Sequence, residues 1–136
     1  LAQRIATLVG IPLTHAESFQ VVHYDAGQQY KPHFDAWDAG TARGDRNLAR
    51  GGQRLVTALV YLNEVVDGGA TAFPHLKISV APRKGSLLVF HNCPPGTDLK
   101  HKHSLHGGMP VTAGEKWAAN LWFRQRDFRR QAPSST

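Results

Sequence analysis

With 136 residues, 41% of them hydrophobic and 9% aromatic, the chain is sized for one globular domain with a sizeable core. Net charge +6 permits an acidic partner, but the bases are scattered (Arg43, Arg46, Arg50, Lys100, Lys102, Arg126, Arg129, Arg130), with neither an RNA-recognition motif nor a basic helix, so no nucleic-acid partner is expected. No apolar run approaches the ~20 residues that span a bilayer, no signal peptide opens the chain, and Cys93 as sole cysteine excludes an intrachain disulfide or a cysteine-based zinc site. A reducing, cytoplasmic setting is expected, with Cys93 a loop or buried thiol.

The first residue is Leu1 rather than Met, which suggests a missing or processed amino terminus. Leu1, Ile5 and Leu8 fall on one face of a helix over 1–9, stopped by Gly10 and Pro12. From Phe19 the pattern changes to short Val-, Tyr-, Phe- and Leu-rich stretches between glycine and proline turns. Strands are predicted at 19–24, 28–35, 54–63, 70–73, 78–81, 86–91, 104–111 and 116–124. About eight short strands behind one helix predict a mainly β fold, a sandwich or barrel of the jelly-roll kind. The interruption from Ala36 to Gln53 is glycine-rich and basic and reads as a long surface loop, a feature that often serves function. One domain over 1–130 and a disordered tail over 131–136 are expected.

Residues two apart in a strand share a face, so His33 and Asp35 can reach one point while Phe34 packs the other way. A histidine and a carboxylate are two-thirds of the triad that holds non-haem Fe(II) with coordination positions left open. A third ligand has to come from far along the chain, where His106 is the best placed and His101 and His103 compete nearby. The last strand alternates well: Trp117, Ala119, Leu121 and Phe123 make an apolar face. Lys116, Ala118, Asn120, Trp122 and Arg124 share the other, which reads as a pocket wall. A lysine deep in a pocket needs an anionic partner, since an unpaired buried charge is costly.

The run Tyr24-Asp25-Ala26-Gly27-Gln28-Gln29-Tyr30-Lys31-Pro32-His33-Phe34-Asp35 resembles the Y-x-x-G-Q-x-Y-x-x-H-x-D signature of prolyl 4-hydroxylases. Arg54 to Asn63 resembles their central strand, and Gly68-Gly69-Ala70-Thr71-Ala72-Phe73-Pro74 and Pro82-Arg83-Lys84-Gly85 the turns that follow. His106, Pro110-Val111, Gly114 and Lys116-Trp117 resemble the distal histidine and the lysine ten positions on, and this context favours His106 over His101 and His103. His15, His23, His75 and His91 are given no catalytic role.

The resemblance implies a double-stranded β-helix and an Fe(II)- and 2-oxoglutarate-dependent dioxygenase, of the procollagen-proline 4-dioxygenase type. It would hydroxylate a prolyl residue in a peptide or protein and release succinate and CO2. By the same resemblance His33, Asp35 and His106 hold the metal and Lys116 pairs with the distal carboxylate of 2-oxoglutarate. Tyr24 is the foremost hydroxyl donor to that cosubstrate, followed by Thr71 and Tyr61, while Tyr30, Arg54 and Trp122 face the substrate. Ascorbate enters as an accessory reductant. Met109 stands where relatives often carry cysteine, and Arg124 where some carry histidine; the supporting segment at the amino terminus looks shortened. Two rivals are an oxygenase of the same cofactors acting on another side chain or a small molecule, and a jelly-roll module that binds without turnover.

Overall fold

The computed structural model describes residues 1–129, so the tail expected over 131–136 lies outside the described residues. Within them run α1 (Ala2–Val9), β1 (Gln20–Tyr24), β2 (Tyr30–His33), α2 (Ala42–Leu48), β3 (Arg54–Tyr61), β4 (Asp67–Gly68), β5 (Thr71–Phe73), β6 (Ile78–Val80), β7 (Leu87–His91), β8 (His106–Gly108), β9 (Val111–Ala113) and β10 (Lys116–Arg124). Two antiparallel four-stranded sheets, ordered β1-β10-β3-β7 and β2-β8-β5-β6, form the jelly roll, and β4 pairs with β9 beside them. No helix of the described residues is long and apolar enough to cross a membrane.

β3 shows how alternation builds both faces of the larger sheet. Val56, Ala58 and Val60 point outward, where they bury Ile5 and Ala6 of α1 together with Leu121 and Phe123 of β10. Thr57, Leu59 and Tyr61 occupy the alternate positions, and Leu59 and Tyr61 pack with Ala118. Each large apolar side chain so buried contributes about 1.5–3 kcal/mol. The stripe α1 presents is Ala2, Ile5, Ala6 and Val9, while Leu1 and Leu8 of the expected face are exposed. Both sets have helical spacing and share Ile5, but the helix is rotated so that Ala2, Ala6 and Val9 face the core on one side of Ile5 and Leu1 and Leu8 face solvent on the other.

Three elements differ from expectation. The predicted strand 104–111 is two, β8 and β9, separated by Met109 and Pro110, the latter lacking the N–H a ladder needs. β4 is a two-residue strand, too short to leave a pattern. The predicted loop 36–53 contains α2, whose cap Thr41 accepts from the Gly44 N–H at 2.9 Å. Gly44 is required there, because a Cβ would sit 1.8 Å from the Asp38 carbonyl oxygen.

Arg124 ties this segment to the barrel. Its guanidinium is buried and donates to the carbonyls of Gly52 (2.8 Å), Asn47 (2.5 Å) and Arg50 (2.5 Å), at the carboxyl end of α2. Gln53 adds bonds to the backbone of Trp37 and Asp98. Replacing Arg124 by lysine loses the planar fork and leaves carbonyls unpaired. Arg124→Lys should destabilise the fold by about 1–3 kcal/mol, with amide exchange accelerating first over 41–53. Denaturant titration with hydrogen-exchange mass spectrometry checks both; uniform acceleration across the barrel would contradict the assignment.

Candidate active site

β2 and β8 pair so that His33 and His106 are directly opposite each other, and Asp35 follows His33 by two residues. The close pairing needs Gly107, where a Cβ would come within 2.9 Å of the Tyr30 carbonyl oxygen. The result is a compact donor set: His33 Nε2 and His106 Nε2 lie 3.3 and 3.4 Å from Asp35 Oδ1. The other ring nitrogens bond backbone carbonyls, His33 Nδ1 to Lys31 at 2.9 Å and His106 Nδ1 to Ser104 at 2.8 Å. With Nδ1–H donated outward, both rings turn an unprotonated Nε2 toward the same carboxylate oxygen. Three lone-pair atoms that close require a cation among them, either a proton or a metal ion. Two nitrogens and one oxygen at a cavity wall suit a divalent first-row metal with open positions.

Without a metal, protons serve instead. Burial by itself would raise the Asp35 carboxyl, but hydrogen bonds from His106 and His33, the His106 charge and the Thr57 hydroxyl outweigh it and hold the carboxyl well below the usual carboxylate range. Burial lowers His106, and its bond and attraction to Asp35, with the Ser104 carbonyl, move it up on balance. Asp35 Oδ2 faces the other way and accepts from Thr57 Oγ1 at 2.7 Å and Trp122 Nε1 at 3.1 Å. Sequence reasoning passed over Thr57. A polar residue on the inward face of Arg54-Leu55-Val56-Thr57-Ala58-Leu59-Val60-Tyr61 was the available signal.

A cavity of about 580 Å3 extends from this cluster, within the range of small-molecule sites. At its inner part stands Lys116, 4% exposed, its Nζ donating to the Gly69 carbonyl at 2.7 Å. Lys116 has no acidic partner among the described residues, and burial pushes its pKa down to about 8. The rings of Tyr24 and Tyr61 lie 5.4 and 5.8 Å from Nζ, and Tyr24 is the cross-strand partner of Lys116. Burial raises both phenols, with Tyr30 adding to the effect at Tyr24 and a Thr71 bond opposing it at Tyr61. Tyr61 and Thr71 share a 2.7 Å hydroxyl bond, while Tyr24, beside Lys116, lines the cavity.

The outer part brings together Tyr30, Arg54 and Trp122, all cavity-lining. Strict alternation would turn Tyr30 away from His33. The β2–β8 register shifts between Tyr30 and His33, and the two rings meet edge-on at 4.0 Å. Arg54 is held by Glu17 through Nε (2.6 Å) and Nη2 (3.0 Å) and lies 3.9 Å over Trp122 and 4.4 Å over Trp37. Two of its five N–H donors are thus engaged, and one face of Trp122 is covered. Trp37, Asp38, Thr41 and Arg43, from the α2 segment, complete the wall.

Residues 19–124 match the family model of the 2OG-Fe(II) oxygenase superfamily. A protein of Acanthamoeba polyphaga mimivirus named as a prolyl 4-hydroxylase is 42% identical over 93% of this chain and 52% of its own length. Prolyl 4-hydroxylase 5 of Arabidopsis thaliana is 36% identical over 95% of this chain and 49% of its own. The viral collagen prolyl hydroxylase of Paramecium bursaria chlorella virus-1, solved in complex with 2OG, superposes with TM-score 0.70 at 40% identity, covering 80% of this chain and 59% of that one. The chain therefore spans about half the length of the curated relatives it matches. On the family match and these relatives together, the chain belongs to the 2OG-Fe(II) oxygenase superfamily.

Proposed function

We propose that the chain carries the active site of a prolyl 4-hydroxylase, a dioxygenase that uses Fe(II) and 2-oxoglutarate to hydroxylate proline within a peptide or protein. The observation that carries this reading is one cavity with a His-Asp-His donor set at its wall and a buried, carboxylate-free lysine farther in. The prolyl 4-hydroxylase names of its relatives support the substrate. His33, Asp35 and His106 would hold the metal, which with 2-oxoglutarate supplies the oxidising power for C–H hydroxylation. Lys116 would pair with the distal carboxylate of 2-oxoglutarate, and Tyr24 would donate to it. Tyr61 and Thr71, bonded to each other, would shape that end and keep water out. Tyr30 and Trp122 give a flat proline ring aromatic surface, and Arg54, fixed by Glu17, stiffens the wall behind. The buried Cys93 thiol, pushed up to about 11 by burial and the Asp98 charge, is an unreactive side chain with no part in the chemistry.

Titration of Lys116 gives this reading a pH signature. A bound carboxylate favours the charged ammonium, so 2-oxoglutarate raises the pKa that burial has lowered to about 8. Affinity should be level below that value and fall about tenfold per pH unit above it, until the higher bound-state pKa is passed. Calorimetry with Mn(II)-loaded protein from about pH 6.5 to about 9.5 measures this; a flat profile removes Lys116 from the cosubstrate's site.

The substrate is tested with proline-containing peptides beside free amino acids, with Fe(II), 2-oxoglutarate and ascorbate present. Succinate release coupled to a gain of one oxygen on a prolyl ring is expected with peptides and not with free proline. Oxidation of other side chains or small molecules alone would overturn the prolyl assignment. No succinate with any of them would leave a binding module.

A further inference from the structure

Asp35 is backed by a polar chain that reaches into the core. Asn92, the first residue after β7, is fully buried. Its backbone is pinned on both sides, the N–H donating to the Leu55 carbonyl at 2.8 Å and the carbonyl accepting from His101 N–H at 2.9 Å. From there Asn92 Nδ2 donates to Thr57 Oγ1 at 2.8 Å, and Thr57 Oγ1 reaches Asp35 Oδ2 at 2.7 Å. Donor and acceptor logic orders this chain. A carboxylate only accepts, so Thr57 must spend its single proton on Asp35. Its oxygen then needs a donor from behind, and the amide NH2 of Asn92 supplies one. Turned over, Asn92 would present a second acceptor to Thr57, and one of the two bonds would be lost.

The remaining atom is informative. Asn92 Oδ1 is buried with no hydrogen-bond partner among the described residues. An unpaired buried acceptor weakens a fold, and an apolar residue of the same shape would not carry that defect. Asn92 is therefore a poor choice for stability alone, and its one side-chain bond leads toward the metal ligand.

We infer that Asn92 is a positioning residue for the metal centre: through Thr57 it holds the Asp35 carboxylate so that Oδ1 alone faces His33 and His106. Trp122 Nε1 donates to Oδ2, the oxygen Thr57 holds, from a second direction. The two donors satisfy Oδ2 and oppose rotation of the carboxylate toward bidentate binding. The inference rests on the metal site proposed above.

The test uses Mn(II), a redox-inert stand-in for Fe(II), with free ion read by electron paramagnetic resonance and metal-free stability by thermal unfolding. Outer hydrogen-bond partners of metal ligands are worth about 10–100-fold in affinity. Thr57→Val and Asn92→Leu should each weaken Mn(II) binding about tenfold, while Thr57→Ser stays within about twofold of the parent. The double variant should be no weaker than Thr57→Val, because Asn92 acts through Thr57. Metal-free Asn92→Leu should unfold at or above the parent temperature. Unchanged Mn(II) affinity in Asn92→Leu, or losses that multiply in the double variant, would overturn the inference. If Asn92→Leu does not fold, Asn92→Ala takes its place with the same two affinity outcomes. Failure of the unmodified protein to bind Mn(II) would instead overturn the metal site itself, and the inference with it.

Discussion

Asp35→Asn is expected to fold like the parent and yet bind Mn(II) about 3–5 kcal/mol more weakly, a loss of roughly 150- to 5000-fold. The substitution looks conservative, but the surroundings of the carboxylate make it severe. Thr57 and Trp122 both donate to the Oδ2 side, so the amide oxygen is drawn to them. The NH2 group is then turned toward His33 Nε2 and His106 Nε2, where the parent presents Oδ1. A neutral donor at that point satisfies the two imidazoles and repels a metal ion. Calorimetric Mn(II) titration alongside thermal unfolding separates the two effects. Retained affinity would mean Asp35 does not ligate.

Lys116→Met should weaken 2-oxoglutarate binding by about 2–4 kcal/mol, roughly 30- to 1000-fold, the range for losing one member of a buried charge-assisted pair. Mn(II) affinity should hardly change, since Lys116 belongs to β10 and is not among the His33, Asp35 and His106 donors. The unliganded variant should unfold no earlier than the parent. Methionine keeps much of the volume and no longer has to hold a charge away from water, as the downward shift of the Lys116 pKa shows the parent must. Equal loss of metal and cosubstrate affinity would mean that Lys116 acts through folding.

The inner part of the site was legible in sequence and the outer part much less so. Lys116, Ala118, Asn120 and Trp122 line the cavity as the period of two in β10 requires, and His33 and Asp35 meet as their spacing suggested, although β2 ends at His33 and Asp35 lies just beyond the strand. Tyr30 defied that period because one register shift resets the face of every residue before it. The segment 36–53 reads as a loop because α2 has no apolar stripe to announce it; among its residues only Gly44 is buried. Its order comes from bonds between residues far apart in the chain, Arg124 to three carbonyls above all. Arg54 tells the same story: its type suggested a donor for substrate, and only the fold reveals that Glu17, 37 residues away, engages two of its N–H groups and fixes how it is presented. Local patterns encode faces; they do not encode which distant group a side chain meets.

Because Arg124 and Gln53 grip the α2 segment by its main chain, its identity as a wall depends little on which outward side chains it carries. Thr41, Gly44 and the carbonyl positions must stay, but exposed Arg43 at the cavity is free to change. The segment is in effect an exchangeable cassette on a fixed mount. Libraries randomised there would vary what the outer cavity admits while His33, Asp35, His106 and Lys116 stay unchanged.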